Sequence, residues 1–435
     1  MTDTPVAAMT YLPGSGWIDR PAVLEPAANG AVTCDVVVVG GGLGGMAAAL
    51  RLAELGRDVV LVEADVCGWG ASARNAGYVT NTVGSHPRIL ARFYSDRAQG
   101  LFTFANSSVR FTEELIASRG VVCDYQRTGI FAAAATAARF RHILATTKSG
   151  KRSSVATAEQ AGVPPAFYGG IHIKVGGTLD PGKFALGMRE AVRASSTRVF
   201  EQTPVSRVID DGNSVTIETP RAQIHADQAI LTTNAFTNRL HVAPRNLSTP
   251  VWVTAVETEP VPPERLDAAG WTSRLPITTA HVVMQSFRTT SRNTIVFTTR
   301  NLQMSRRPVA ERLPDHAVVD DLVRGFRDRF SNLADVAPTR AWGGWIGMTP
   351  SNMAVAGQVT RRVHYAMACN GHGLPQAPYL GTLLADHVAG EGTHDDLRSV
   401  WRESPRFAPG VVNPATIRLG WIGDRLTDRL DRLRR

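Results

Sequence analysis

The chain has 435 residues, a net charge of +9 (47 Lys plus Arg against 38 Asp plus Glu) and four cysteines. That length fits two domains. No apolar run reaches the roughly 18 residues of a membrane-spanning helix, and the first thirty residues do not read as a secretory signal. Cys34, Cys67, Cys123 and Cys369 form no C-x-x-C pair, so no metal is expected and free thiols in a reducing cytoplasm are; scattered arginines without a basic–aromatic run argue against a nucleic-acid partner.

The first predicted element is a strand over Asp35–Val39, nearly all valine, as in a parallel sheet buried on both faces. Gly40-Gly41-Gly42-Leu43-Gly44-Gly45 follows, then a helix from Gly44 to about Leu55 stopped by Gly56, then a second strand over Val59–Glu63. Gly40 permits the tight turn, Gly42 the close approach of a pyrophosphate, and Gly45 the packing of helix on strand. The helix N-terminus faces the phosphates with unpaired N–H groups, and Glu63 can accept from a ribose. The motif implies a dinucleotide and leaves NAD and FAD open. The next stretch, "GASARNAGYV" from Gly70, is lined with small residues that let a ring system lie against the backbone, which favours a flavin.

"GASARNAGYV" resembles the "GASGRNGGQ" stretch of the D-amino-acid-oxidase superfamily of FAD proteins, nearest its gamma-glutamylputrescine oxidoreductase branch. The resemblance implies FAD contacts at Gly40, Gly42, Leu43, Gly44, Gly45, Glu63, Ala64, Gly70, Ala71, Ser72, Arg74, Asn75, Ala76 and Gly77. It continues through Gly176–Thr237, a predicted helix (Pro181–Ala194), strand (Arg198–Glu201), β-meander and apolar strand (Ala229–Thr232). There the family places the backbone near Val205 beside the adenine and Thr233 near the nucleotide. In Arg362–Gly390 a strand, the turn Gly371-His372-Gly373 and a helix from about Leu374 match the family's turn over the flavin ring. A helix N-terminus there stabilises negative charge on the reduced ring by about 1 kcal/mol. The tail carries Leu426, Leu430 and Leu433 as one stripe on a basic helix, which packs on the FAD domain or meets a membrane surface or partner.

The implied fold is α/β, a discontinuous Rossmann-like FAD-binding domain (30–122, 174–243 and 342–435) with a second α+β substrate domain on a mostly antiparallel sheet (123–173 and 244–341), after an N-terminal arm (1–29). The implied reaction oxidises the C–N bond of an amine or amino acid to an imine by hydride transfer to flavin N5, with O2 as reoxidant and release of H2O2. A flavin dehydrogenase, a tailoring oxidase on an unusual amine and a non-catalytic flavin protein are the alternatives. Candidate catalytic residues are His372, Arg288 as a substrate-carboxylate clamp, and Tyr78 lining the pocket. Four departures bear on this. Thr298 and Thr299 stand where the branch carries a glycine pair, and the "TPD" segment reads Thr349-Pro350-Ser351, so the branch's substrate is not carried over. Trp342–Met348 holds no cysteine for a covalent link, so FAD is expected to be non-covalent. No lysine follows Lys183 to assist O2, which leaves Arg288 or protonated His372 for that role.

Overall fold

The computed structural model describes residues 9–84, 95–147, 149–240, 248–281, 284–298, 301, 303–304, 309–349, 352–367 and 370–401, with isolated positions between 415 and 426. Two sheets dominate. In the first, Ala222–Leu231, Gly30–Val39, Val59–Val62 and Arg198–Phe200 run parallel in that order, and Val363–Met367 joins Ala222–Leu231 in parallel on its other side. Register is continuous across the centre, with Ile230 opposite both Val38 and His364. Val37, Val38, Val60 and Leu61 are fully buried, as an all-valine run covered on both faces requires, with helices on one face and the strands of the 207–218 hairpin on the other. The hairpin 207–218 and the strand Val355–Gln358, paired with Val363–Met367, add antiparallel strands at the margins.

The helix Leu43–Glu54 follows the glycine turn and ends in a Schellman motif: Gly56 has φ +74°, its N–H donates to Ala53, and Arg57 N–H donates to Leu52. It packs against the helix Gly373–Ala389 at an unusually close crossing. A Cβ on Gly381 would lie 2.0 Å from Gly44 O, so only glycine fits there. That contact, with Gly44 also against Ala377, seats the start of the first helix on the second and third turns of the other.

The second sheet is mostly antiparallel, ordered Thr10–Tyr11, Pro338–Met348, Thr249–Thr258, Ile295–Thr298, Ser286–Thr289, Ile277–Thr279, Ile130–Ala134, Gly169–Ile173 and Ser153–Thr157. Its outer face buries Phe131, Phe287 and Phe297 with Trp271 and with Phe326 of the helix His316–Arg329. The boundary expected at residue 342 falls inside the strand Pro338–Met348, and the chain leaves this sheet only after Met348. The N-terminal arm joins the same sheet, with Thr10 and Tyr11 opposite Arg340 and Ala341. In the tail, Leu426 is exposed, while Leu430 and Leu433 lie outside the described residues. No helix among the described residues is long and apolar enough to cross a membrane.

Candidate active site

One cavity of about 1410 Å³ runs between the two sheets. Its nucleotide half is walled mostly by backbone. Gly40, Gly42, Leu43 and Gly44 line it, followed by Glu63, Ala64, Gly70, Ala71, Ser72, Arg74, Asn75 and Ala76. Val205, Thr233 and the turn Gly371, His372, Gly373 and Leu374 complete this half. The residues expected at the cofactor are thus brought together, with two exceptions. Gly45 faces inward, where a Cβ would meet Gly40 O at 1.9 Å, which matches its packing role. Gly77 turns out of the cavity at φ +79°, and a Cβ there would meet Leu179 O at 2.2 Å.

The cradle fits a dinucleotide. Glu63 ends its strand with Oε2 accepting from Gly41 N–H (2.7 Å) and Oε1 from Asp65 N–H (2.9 Å), which holds the carboxylate at the cavity wall. Burial pushes this carboxyl up and the two N–H donors partly offset that. Ser72 Oγ accepts from Leu43 N–H at 3.1 Å, at the start of the first helix. His372 sits at the N-cap of the second helix without capping it. Gly70 has nothing in front of its missing Cβ, and Gly371 only Ile346 Cδ1 at 3.9 Å, so both leave room against the backbone.

Arg74 is buried and lines the cavity. Its guanidinium donates to Trp69 O (2.9 Å), Pro13 O (3.0 Å) and Glu311 Oε1 (2.9 Å). Asn75 works locally: Nδ2 donates to Ala71 O and Ser72 O, and Oδ1 accepts from Gly77 N–H.

The substrate half is walled by Thr279, Ser286 and Thr298 of the antiparallel sheet and by His281 and Met284 of the connection between two of its strands, with Arg139 beside them. Ser286 Oγ and Thr298 Oγ1 are 2.8 Å apart. Thr298 therefore stands in the cavity where the resembling branch has glycine; Thr299 lies outside the described residues. Arg139, His281 and Met284 carried no motif that sequence reasoning could seize.

The three residues expected to be catalytic part company here. His372 lines the cavity, and burial lowers its imidazole to about 4, so it is neutral near pH 7 rather than the cation expected to assist O2. Tyr78 also lines it, but its hydroxyl is 3.1 Å from Ile277 O and 3.0 Å from Phe287 O, and burial raises its pKa. That hydroxyl ties the flavin-side loop to the antiparallel sheet. Arg288 is buried and does not line the cavity. Nη1 donates to Gly77 O (3.1 Å) and Leu179 O (2.8 Å), and the guanidinium stacks on Trp17 at 4.8 Å. Strand alternation does put Arg288 on the same face as Ser286. Two residues of strand rise, about 7 Å, carry it past the end of the cavity and beneath Gly77. Burial pulls it down to about 10, still charged at neutral pH. The carboxylate clamp assigned to Arg288 thus has no access to the cavity in this arrangement.

Among the described residues no cluster of three or more His, Cys, Asp or Glu could hold a metal. Cys34, Cys67 and Cys123 are free, and none of them lines the cavity.

A parallel sheet with a glycine turn, a terminal acid and two helix N-termini on one groove defines a dinucleotide-binding oxidoreductase class. The chain belongs to the FAD-dependent oxidoreductase family, whose model matches residues 35–387. It is 26% identical over 387 residues to gamma-glutamylputrescine oxidoreductase of Escherichia coli, covering 85% of this chain and 86% of that one. It is 27% identical over 217 residues to 4-methylaminobutanoate oxidase (formaldehyde-forming) of Paenarthrobacter nicotinovorans, 47% of this chain and 25% of that one. Among solved structures, glycine oxidase from Geobacillus kaustophilus superposes with TM-score 0.71 at 19% identity, covering 87% of this chain and all of that one. L-Proline dehydrogenase from P. horikoshii gives 0.69 at 18% identity, covering 86% and 96%.

Proposed function

We propose that this chain oxidises the C–N bond of a small amine or amino acid, with FAD held non-covalently along the glycine-walled half of the cavity. The observation that carries this reading is the single cavity that joins that cradle to a pocket floored by the antiparallel sheet. FAD held there would supply the two-electron oxidation, as the acceptor for hydride from the C–H beside the substrate nitrogen. The residues do the rest. Glu63 and the first helix N-terminus would hold the ribose and phosphates. The second helix N-terminus favours negative charge near the Gly371–Gly373 turn. Neutral His372 adds no competing charge. The cavity strips water from the substrate, which helps an amine shed its proton before oxidation. Non-covalent binding is supported by the cysteine-free strand Pro338–Met348 along the cavity wall.

The placement of Arg288 and the neutrality of His372 favour a second reading of the acceptor, a dehydrogenase that passes electrons to a quinone or carrier in place of O2. The test is the visible spectrum of the purified protein, followed by anaerobic addition of pooled amines and amino acids. Bleaching of the roughly 450 nm flavin band supports the reading, and a band that no pool bleaches removes it. Mixing the bleached protein with air separates the acceptors: prompt return of colour means oxidase, and return only with a quinone analogue means dehydrogenase. Flavin retained by acid-precipitated protein would overturn non-covalent binding.

A further inference from the structure

The loop from Ala71 to Gly77 forms one wall of the nucleotide half, and the carbonyls of Ala73, Arg74, Asn75 and Gly77 share a property, while those of Ala71 and Ser72 accept from Asn75 Nδ2 within the loop. The Ala73 carbonyl accepts from Ser15 Oγ at 2.5 Å, Arg74 O from Trp342 Nε1 at 3.0 Å, Asn75 O from Trp17 Nε1 at 2.9 Å, and Gly77 O from Arg288 Nη1 at 3.1 Å. Ser15, Trp17, Trp342 and Arg288 do not line the cavity. A carbonyl that accepts from a side chain behind the wall points its negative end away from the groove. The donors are themselves interlocked. Trp17 meets Trp342 edge-on at 5.8 Å, carries Arg288 at 4.8 Å on its ring, and its N–H accompanies Ser15, whose Oγ accepts from Trp17 N–H at 3.0 Å.

We propose that Trp17, with Ser15 and Trp342, is a positioning residue for FAD: these donors hold the loop with its carbonyls turned outward, so the wall facing the dinucleotide presents little negative charge to the pyrophosphate. The inference rests on the FAD reading above. It gives the N-terminal arm a task at the cofactor site, although none of the arm's described residues lines the cavity.

The test uses the full chain. Trp17→Phe keeps an aromatic ring beside Arg288 and Trp342, loses the donor to Asn75 O and leaves a smaller ring in its place. Ser15→Ala loses the donor to Ala73 O. Apoprotein of each is titrated with FAD by quenching of flavin fluorescence, and apo and holo melting temperatures are compared. Each variant is expected to raise the FAD dissociation constant roughly fivefold, the loss of one hydrogen bond, and to shrink the holo-minus-apo difference in melting temperature. An unchanged dissociation constant in either variant overturns the proposal. So does an equal fall in apo and holo melting temperatures at constant affinity, which marks a purely structural role. An unmodified chain that binds no FAD overturns the cofactor reading first, and the proposal with it.

Discussion

The two halves of the cavity are built by different means. The nucleotide half is a backbone surface: glycines, helix ends and carbonyls pinned from behind, on a parallel sheet of valines. The substrate half is a side-chain surface, with Ser286 and Thr298 projecting from an antiparallel sheet whose other face is packed with aromatic rings. A backbone wall keeps its shape under most side-chain changes and fails where a glycine or a buried anchor is lost. A side-chain wall does the reverse. Each change of residue there redraws the pocket at little cost in stability, so substrate specificity can vary on a constant cofactor site.

Four changes would break or sharpen that contrast. The largest effect is expected behind the nucleotide half. Arg189 and the fully buried Glu201 are paired twice at 2.7 Å, and Glu201 also accepts from Cys67 N–H and Glu25 N–H. Burial alone would raise the Glu201 carboxyl, but these donors hold it below its usual range. Arg189→Met leaves a buried carboxylate unpaired and should cost about 3–5 kcal/mol in urea unfolding. A midpoint equal to the parent's would show that the anchor is dispensable.

Next is pH. Burial, reinforced by nearby His387, lowers His364 to about 4 from an ordinary 6.5. Between pH 6.5 and 4 the unfolded chain therefore takes up a proton that the folded chain refuses. Stability should be constant above that window and fall through it on acidification, by on the order of 3 kcal/mol. His372, also lowered to about 4 by burial, adds its own share in the same window, so His364→Leu should remove about half of this histidine slope, and an unaltered slope would place the acid sensitivity elsewhere. Third, Gly45→Ala drives a methyl into Gly40 O and should cost about 1–3 kcal/mol and strip flavin during gel filtration. Retention of colour would mean that the helix can shift without opening the cradle. The smallest effect on the fold is expected across the cavity. Thr298→Val removes the contact to Ser286 and should change stability by about 1 kcal/mol or less, while altering KM for whichever amine is turned over. A change in FAD affinity instead would dissolve the distinction between the halves.

The contrast also explains what could be read from the sequence. The strand, glycine turn, helix and terminal acid from Asp35 to Glu63 are consecutive, and each residue type answers a local requirement, so the nucleotide half is legible down to Gly45. The observed helix starts at Leu43 and the strand reaches back to Gly30, differences confined to element ends. Arg288 shows where reading stops. Alternation gives its face of the sheet, but how far the cavity extends along that face depends on Gly77 and Trp17, distant in sequence. The cavity-lining positions of Arg139 and His281, and the anchoring done by Ser15 and Trp17, follow from tertiary placement alone and have no local pattern.

The central strand Ala222–Leu231 lies between Gly30–Val39 and Val363–Met367, and this order has a consequence for biosynthesis. On the ribosome the glycine motif emerges early, yet the sheet that supports it waits for a strand from the middle of the chain and another near its end. Until then a valine-rich edge stands open, the kind of nascent surface that recruits chaperones or aggregates. Pairings so distant in sequence are slow to form. A nascent chain released before the helix Gly373–Ala389 has been made therefore lacks half of its cofactor cradle, whatever its glycine motif can do by itself.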